Sequence, residues 1–210
     1  MGMQNDSRLA EQLRFVLEID RLKHIVRQTI LLNGARKEND AEHCWHVALM
    51  AFLLREYAAD PDVDVFHVVK MLLVHDLVEI DAGDTYCYDE AARCDQSERE
   101  RLAADRIFNL LPPDQAAEFR RLWDEFEARQ TGEARYAAAL DRFQPLLINY
   151  HRRGESWMEH GVTAEQVIRR NHPIHHGAPR LWQHAESLIA DAVKRGWLKE
   201  NHEADGKAEA

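Results

Sequence analysis

His75-Asp76-Leu77-Val78-Glu79-Ile80-Asp81-Ala82-Gly83-Asp84 ends an apolar helical run and crowds one imidazole and four carboxylates into ten residues. Upstream, Val68, Val69 and Leu72 recur at helical spacing after Pro61, with Asp64 as candidate cap. The spacing therefore predicts a helix to about Glu79, broken by Gly83. On it His75 and Glu79 are four apart and Asp76 and Glu79 three apart, which sets all three on one side of the helix end. Asp76, Glu79, Asp81 and Asp84 repel one another unless water or a cation neutralises them, and the apolar approach desolvates them in part. This stretch alone supports two readings: a solvated helix end beside a hydrogen-bonded core histidine, or a divalent-cation site. His43, at the start of a helix whose apolar side carries Val47 and Met50, adds a second inward imidazole. A mixed imidazole and carboxylate set suits a transition metal or a hard divalent ion. His46, one turn later, reads as a residue behind the ligands or a core histidine, with a further ligand as the alternative.

Helical period dominates the remainder. Leu9, Leu13, Val16, Leu17, Leu22, Ile25 and Val26 predict a first helix ending near Asn33-Gly34. Asn39 followed by Glu42 resembles a capping box opening the second helix. After an irregular polar stretch from Gly83 to about Gln96, helical patterns occupy about 97–111, 114–130, 133–151, 163–171 and 179–196. Pro145 should kink the third of these or start a new turn. The expected fold is one all-α domain over residues 1–198, a bundle of about six to eight helices, with residues 199–210 a disordered tail.

The chain has 210 residues, 27 Lys and Arg against 37 Asp and Glu, and a net charge of −10. Such a balance opposes tracking along a nucleic acid polymer and leaves room for a small anionic substrate at a local cationic spot. The longest apolar stretch, Val47 to Leu54, is far short of the ~20 residues of a membrane span. No secretory leader is visible at the N-terminus. Cys44, Cys87 and Cys94 lack paired spacing and a nearby base, which suits reduced thiols in the cytoplasm.

In order along the chain, Glu42-His43, His75-Asp76 and Asp141 resemble the H…HD…D pattern of the HD-domain metal-dependent phosphohydrolases. Glu79 with Gly83-Asp84 completes an HDxxExxxGD stretch, and Arg27 and Arg36-Lys37-Glu38-Asn39 also match. The set is similar to the branch holding the bacterial 5′-deoxynucleotidases and the HD domain-containing 2 proteins, over about residues 20 to 150. The resemblance implies one divalent cation (Mn, Co, Fe, Ni, Zn or Mg) held by His43, His75, Asp76 and Asp141. It further implies water or proton handling by Glu79, orientation of substrate or acid by Asp84, and phosphate binding by Arg27. The implied reaction is attack of a metal-bound water on a nucleoside 5′-monophosphate, a 2′-deoxy sugar among the candidates. Two other readings are hydrolysis of a guanosine polyphosphate or cyclic nucleotide, and a non-catalytic HD module for ligand sensing or dimerisation. Histidines are absent between Asp76 and Asp141, where two-metal relatives place more, so a single metal is expected. Gln28-Thr29 and a one-residue insertion before Arg36 depart from the deoxynucleotidase pattern, which leaves the sugar preference open. His172-Pro173-Ile174-His175-His176 lies outside the motif and reads as opportunistic. The resemblance also implies a homodimer, with Trp123, Trp157 and Trp182 available to an interface or to the core.

Overall fold

Ala134, Ala137, Ala138 and Ala139 put four small side chains on the buried surface of one long helix, so its neighbours pack close to its backbone. That helix, α7 (Gly132–His151), is the axis of the computed structural model, which describes residues 2–84, 88 and 94–200. Around it stand α2 (Asp40–Leu53), α3 (Val65–Val74), α6 (Pro113–Ala128), α9 (Ala164–Asn171), α10 (Ile174–Gly177) and α11 (Pro179–Lys194), all of which touch it. α1 (Gly2–Ile19) and α5 (Gln96–Phe108) pack outside α6, with Phe15 edge-on to Phe119. The short α4 (Glu79–Ala82) and α8 (Glu155–Glu159) complete the set. Eight of these helices have eight residues or more, so the expected all-α bundle is the architecture observed. At its tightest, a Cβ on Gly177 would lie 2.0 Å from the Arg135 carbonyl oxygen and 2.8 Å from the Tyr136 amide nitrogen. Only glycine lets α10 reach α7 there.

Local signals set several boundaries. Asn39 and Glu42 form the capping box of α2, and the Asp64 carboxylate accepts from the amides of Phe66 and His67 at the start of α3. Pro145 lies inside α7 without ending it, so no new turn starts there. Its missing N–H leaves the Asp141 carbonyl without its usual helical donor. Trp123, Trp157 and Trp182 are all buried, so these aromatics belong to the core. The irregular stretch after Gly83 includes residues 85–87 and 89–93, and the expected tail includes 201–210; both sets lie outside the described residues, Cys87 among them. Lys199 forms a parallel bridge with Thr163.

The N-terminal expectation is corrected. α1 stops at Ile19, a 3-10 turn covers Asp20–His24, and the chain then enters an antiparallel pair, β1 (Val26–Ile30) and β2 (Lys37–Asn39). β-branched Val26, Thr29 and Ile30 favour extended backbone, and Gly34 at φ 74° serves the connection. Val26 pairs with Asn39 and Ile30 with Lys37, so three residues of β1 face the single Glu38 of β2. An irregularity of this kind bends the strand and re-aims its side chains.

Candidate active site

The backbone tightens where the histidine–aspartate pair begins. α3 ends at Val74, and His75–Val78 form a 3-10 turn before α4. Side chains three apart eclipse in such a turn, which keeps Asp76 and Glu79 on one side although the continuous helix expected there is interrupted. Gly83, at φ 75°, ends α4 and turns the chain so that Asp84 borders the cavity. Asp81 points elsewhere and pairs with Arg106 and Arg21. Three of the four carboxylates in the stretch thus face inward, and the fourth is neutralised outside.

His75 is buried, and its Nδ1 donates to the Leu72 carbonyl at 2.9 Å. Its Nε2 is buried without a hydrogen-bond partner, 3.1 Å from Asp76 Oδ1 and 3.7 Å from Asp141 Oδ1. His43, fully buried on α2, approaches the same carboxylate, with Nε2 3.1 Å from Asp141 Oδ1. The four expected ligands, from α2, the 3-10 turn and α7, therefore meet at one place. Burial pushes the His43 imidazole down. Burial would lower His75 as well, but the charge of Asp76 raises it well above the ordinary histidine value. Asp141, despite burial, is held well below the carboxylate range by His43 and His75. A divalent cation fits this donor set: His43, His75 and Asp141 each present a ligand atom within 4.8 Å of the others, and the orphaned His75 Nε2 faces the carboxylates.

Arg27, on the irregular part of β1, bridges Asp40 at 3.0 Å and Asp76 at 2.9 Å. Burial disfavours its charge, yet Asp76, Glu79 and Asp40 raise its pKa well above the usual value. Glu79 is pushed well up, first by burial and then by Asp76, while burial raises Asp40 to about 6. Asp40, Asp76 and Glu79 converge as a second group of oxygens beside the first. Burial also raises Asp84, and lifts the thiol of Cys44, which lies 3.9 Å from His75 Nδ1, to about 11. Arg27, His75, Asp76, Glu79, Asp84 and Asp141 border a cavity of about 360 Å³, within the size range of small-molecule sites.

The HD domain model matches residues 19–182. The chain belongs to the HD domain family. Solved structures agree: this HD domain is 56% identical to a predicted metal-dependent phosphohydrolase from Magnetospirillum magnetotacticum MS-1, at a TM-score of 0.89, covering 94% of this chain and 99% of that one. PH0347 protein from Pyrococcus horikoshii OT3, 19% identical with a TM-score of 0.57 over 87% of this chain and 98% of that one, shares the fold. Among curated proteins, the HD domain is similar to 5′-deoxynucleotidase HDDC2 of Mus musculus, at 28% identity over 70% of this chain and 72% of the relative. For the Homo sapiens protein of that name the figures are 29%, 64% and 65%.

Asp40 and Gln144 were not singled out by the sequence, and Glu38 entered only within the Arg36-Lys37-Glu38-Asn39 match, yet all three are buried against this centre. Gln144 follows Asp141 by three on α7, a spacing that places both on one helical face and could have marked it. His46 lies behind the ligands, its Nδ1 3.2 Å from Gln144 Nε2. His172 stacks on His175 and meets His176 and Trp182 edge-on, and none of the three histidines joins the ligand groups of the centre.

Proposed function

We propose that this protein is a divalent-cation-dependent phosphohydrolase that releases phosphate from a nucleoside 5′-monophosphate. The observation that carries the reading is the meeting of His43, His75, Asp76 and Asp141 beside a cavity whose wall holds His75, Asp76 and Asp141 together with Arg27 and Glu79. The names of the similar proteins, phosphohydrolase and 5′-deoxynucleotidase, support the reaction class. His43, His75, Asp76 and Asp141 would hold the cation, one of Mn, Co, Fe, Ni, Zn or Mg. When bound, that cation supplies Lewis acidity toward a phosphoryl oxygen and lowers the pKa of water. Arg27, held between Asp40 and Asp76, presents its guanidinium to the equatorial phosphate oxygens and makes an acidic protein locally attractive to an anion. Glu79, buried and shifted upward, holds or passes the proton of the attacking water. Asp84, on the cavity border, orients the substrate.

The test is phosphate release from ribo- and deoxyribonucleoside monophosphates by metal-stripped protein, with manganese, cobalt, zinc or magnesium restored singly. Release should return with the cation and rank the sugars, for which Gln28 and Thr29, both bordering the cavity, form the adjoining wall. Release confined to guanosine polyphosphates or cyclic nucleotides would move the substrate. No release from folded, loaded protein would sink the enzyme reading.

The same reading includes a homodimer. Trp45, Leu49, Phe52 and Leu53 recur along the exposed side of α2 at 63%, 51%, 58% and 72% exposure. An apolar stripe with aromatics is the composition of an interface core. Light scattering should give twice the 24.4 kDa chain mass, and Phe52→Glu should give a monomer. A wild-type monomer at micromolar concentration would discard the dimer.

A further inference from the structure

We propose that Gln144 is a positioning residue: its side-chain amide, anchored on Glu38, holds His43 with the proton on Nδ1 and the lone pair of Nε2 turned to the metal centre. This rests on reading His43 as a ligand. Gln144 is 1% exposed, Glu38 3% and His43 0%, so none of their polar atoms has water as an alternative partner. Gln144 Nε2 lies 2.9 Å from Glu38 Oε1 and 3.2 Å from His46 Nδ1, while Oε1 lies 3.2 Å from His43 Nδ1. An amide has one donating and one accepting end. Turned the other way, its oxygen would face the Glu38 carboxylate and its NH2 would face His43. Glu38 and His46 therefore settle which end meets His43, and an amide oxygen there demands N–H at Nδ1. In the neutral imidazole that leaves Nε2, which lies 3.1 Å from Asp141 Oδ1, with the lone pair.

The arrangement mirrors His75, whose Nδ1 is fixed by the Leu72 carbonyl. One imidazole is oriented by its own helix and the other by an amide on α7, the helix that also delivers Asp141. Partners of this kind fix the ring and its tautomer, and losing one costs about 10–100-fold in metal affinity. Glu38 reaches further, its Oε2 lying 3.9 Å from Arg27 Nε. One buried carboxylate thus stands behind both the amide and the arginine.

Zinc affinity of the stripped protein, measured by competition with a chelator, tests the assignment. Gln144→Met should weaken zinc by about 10–100-fold. Gln144→Glu paired with Glu38→Gln, which keeps an acceptor toward Nδ1 and a donor between the two side chains, should recover most of that loss. Wild-type affinity in Gln144→Met would overturn the proposal. His43→Ala separates the two layers of the argument: unchanged zinc binding there removes the ligand reading itself, whereas loss there with none in Gln144→Met removes only the role of Gln144. Should Gln144→Met fail to fold, nitrogen-15 spectra of zinc-loaded wild-type protein decide. Ligation of His43 through Nε2 with Nδ1 protonated is expected, and ligation through Nδ1 would overturn the proposal.

Discussion

Glu79→Gln should bind zinc within a few-fold of the wild type and release phosphate about 10²–10⁴-fold more slowly, the range that one positioned acid or base contributes. Glutamine preserves the volume and the packing of α4 on its neighbours, so what is removed is a site for a proton. Glu79 stands apart from the imidazoles: it groups with Asp40 and Asp76, on the Arg27 side of the centre. Burial first, and the charge of Asp76 second, favour its protonated form, which gives the carboxyl a proton to hold or pass on. Zinc titration alongside single-turnover phosphate release separates binding from chemistry. Wild-type turnover in Glu79→Gln would remove this residue from the mechanism, while loss of zinc would make it a ligand.

The second large effect belongs to Asp141. Its Oδ1 lies 3.1 Å from His43 Nε2 and 3.7 Å from His75 Nε2, and thus touches both imidazoles. Asp141→Asn keeps the shape, removes one charge, and directs either a neutral oxygen or an NH2 at the two imidazole nitrogens. Breaking a buried charge cluster from one side costs about 3–5 kcal/mol, so zinc affinity should fall by about 10²–10⁴-fold. Phosphate release should vanish at micromolar zinc and return in part at millimolar zinc. Unchanged affinity would mean that the carboxylate is merely a partner to the histidines.

Much of this site could be read from residue order. The Asn39 and Asp64 caps, the helical period of α2, α3, α5, α6, α7, α9 and α11, and the ordered His43, His75-Asp76, Asp141 pattern are all local or motif-borne signals. What escaped was tertiary. Residues 20–30 have apolar spacings compatible with a helix, and the choice of strand is made by pairing with residues 37–39, which no local window contains. The tightening at His75–Val78 leaves the i,i+3 relation intact and so leaves no trace in the spacing. Glu38 is legible only as part of a motif match and Asp40 carries no signal of its own; the fold alone reveals that Arg27 meets both and Gln144 meets Glu38. Asp81 is the converse, an acid inside the motif that Arg106 draws out of the centre.

His43 and Asp141 are 98 residues apart in sequence, and Arg27 and Asp76 are 49 apart. The centre is therefore assembled by the closed bundle and has no counterpart in an extended chain. On the proposed reading, a cation seated there acts as a removable cross-link between distant segments, and its binding energy becomes folding energy. At a thousandfold excess over its dissociation constant that linkage is worth about 4 kcal/mol, a large share of what a domain this size has to spare. Loading and folding are then one equilibrium, and the supply of the cation sets how long each copy of the chain survives proteolysis as well as how fast it turns over.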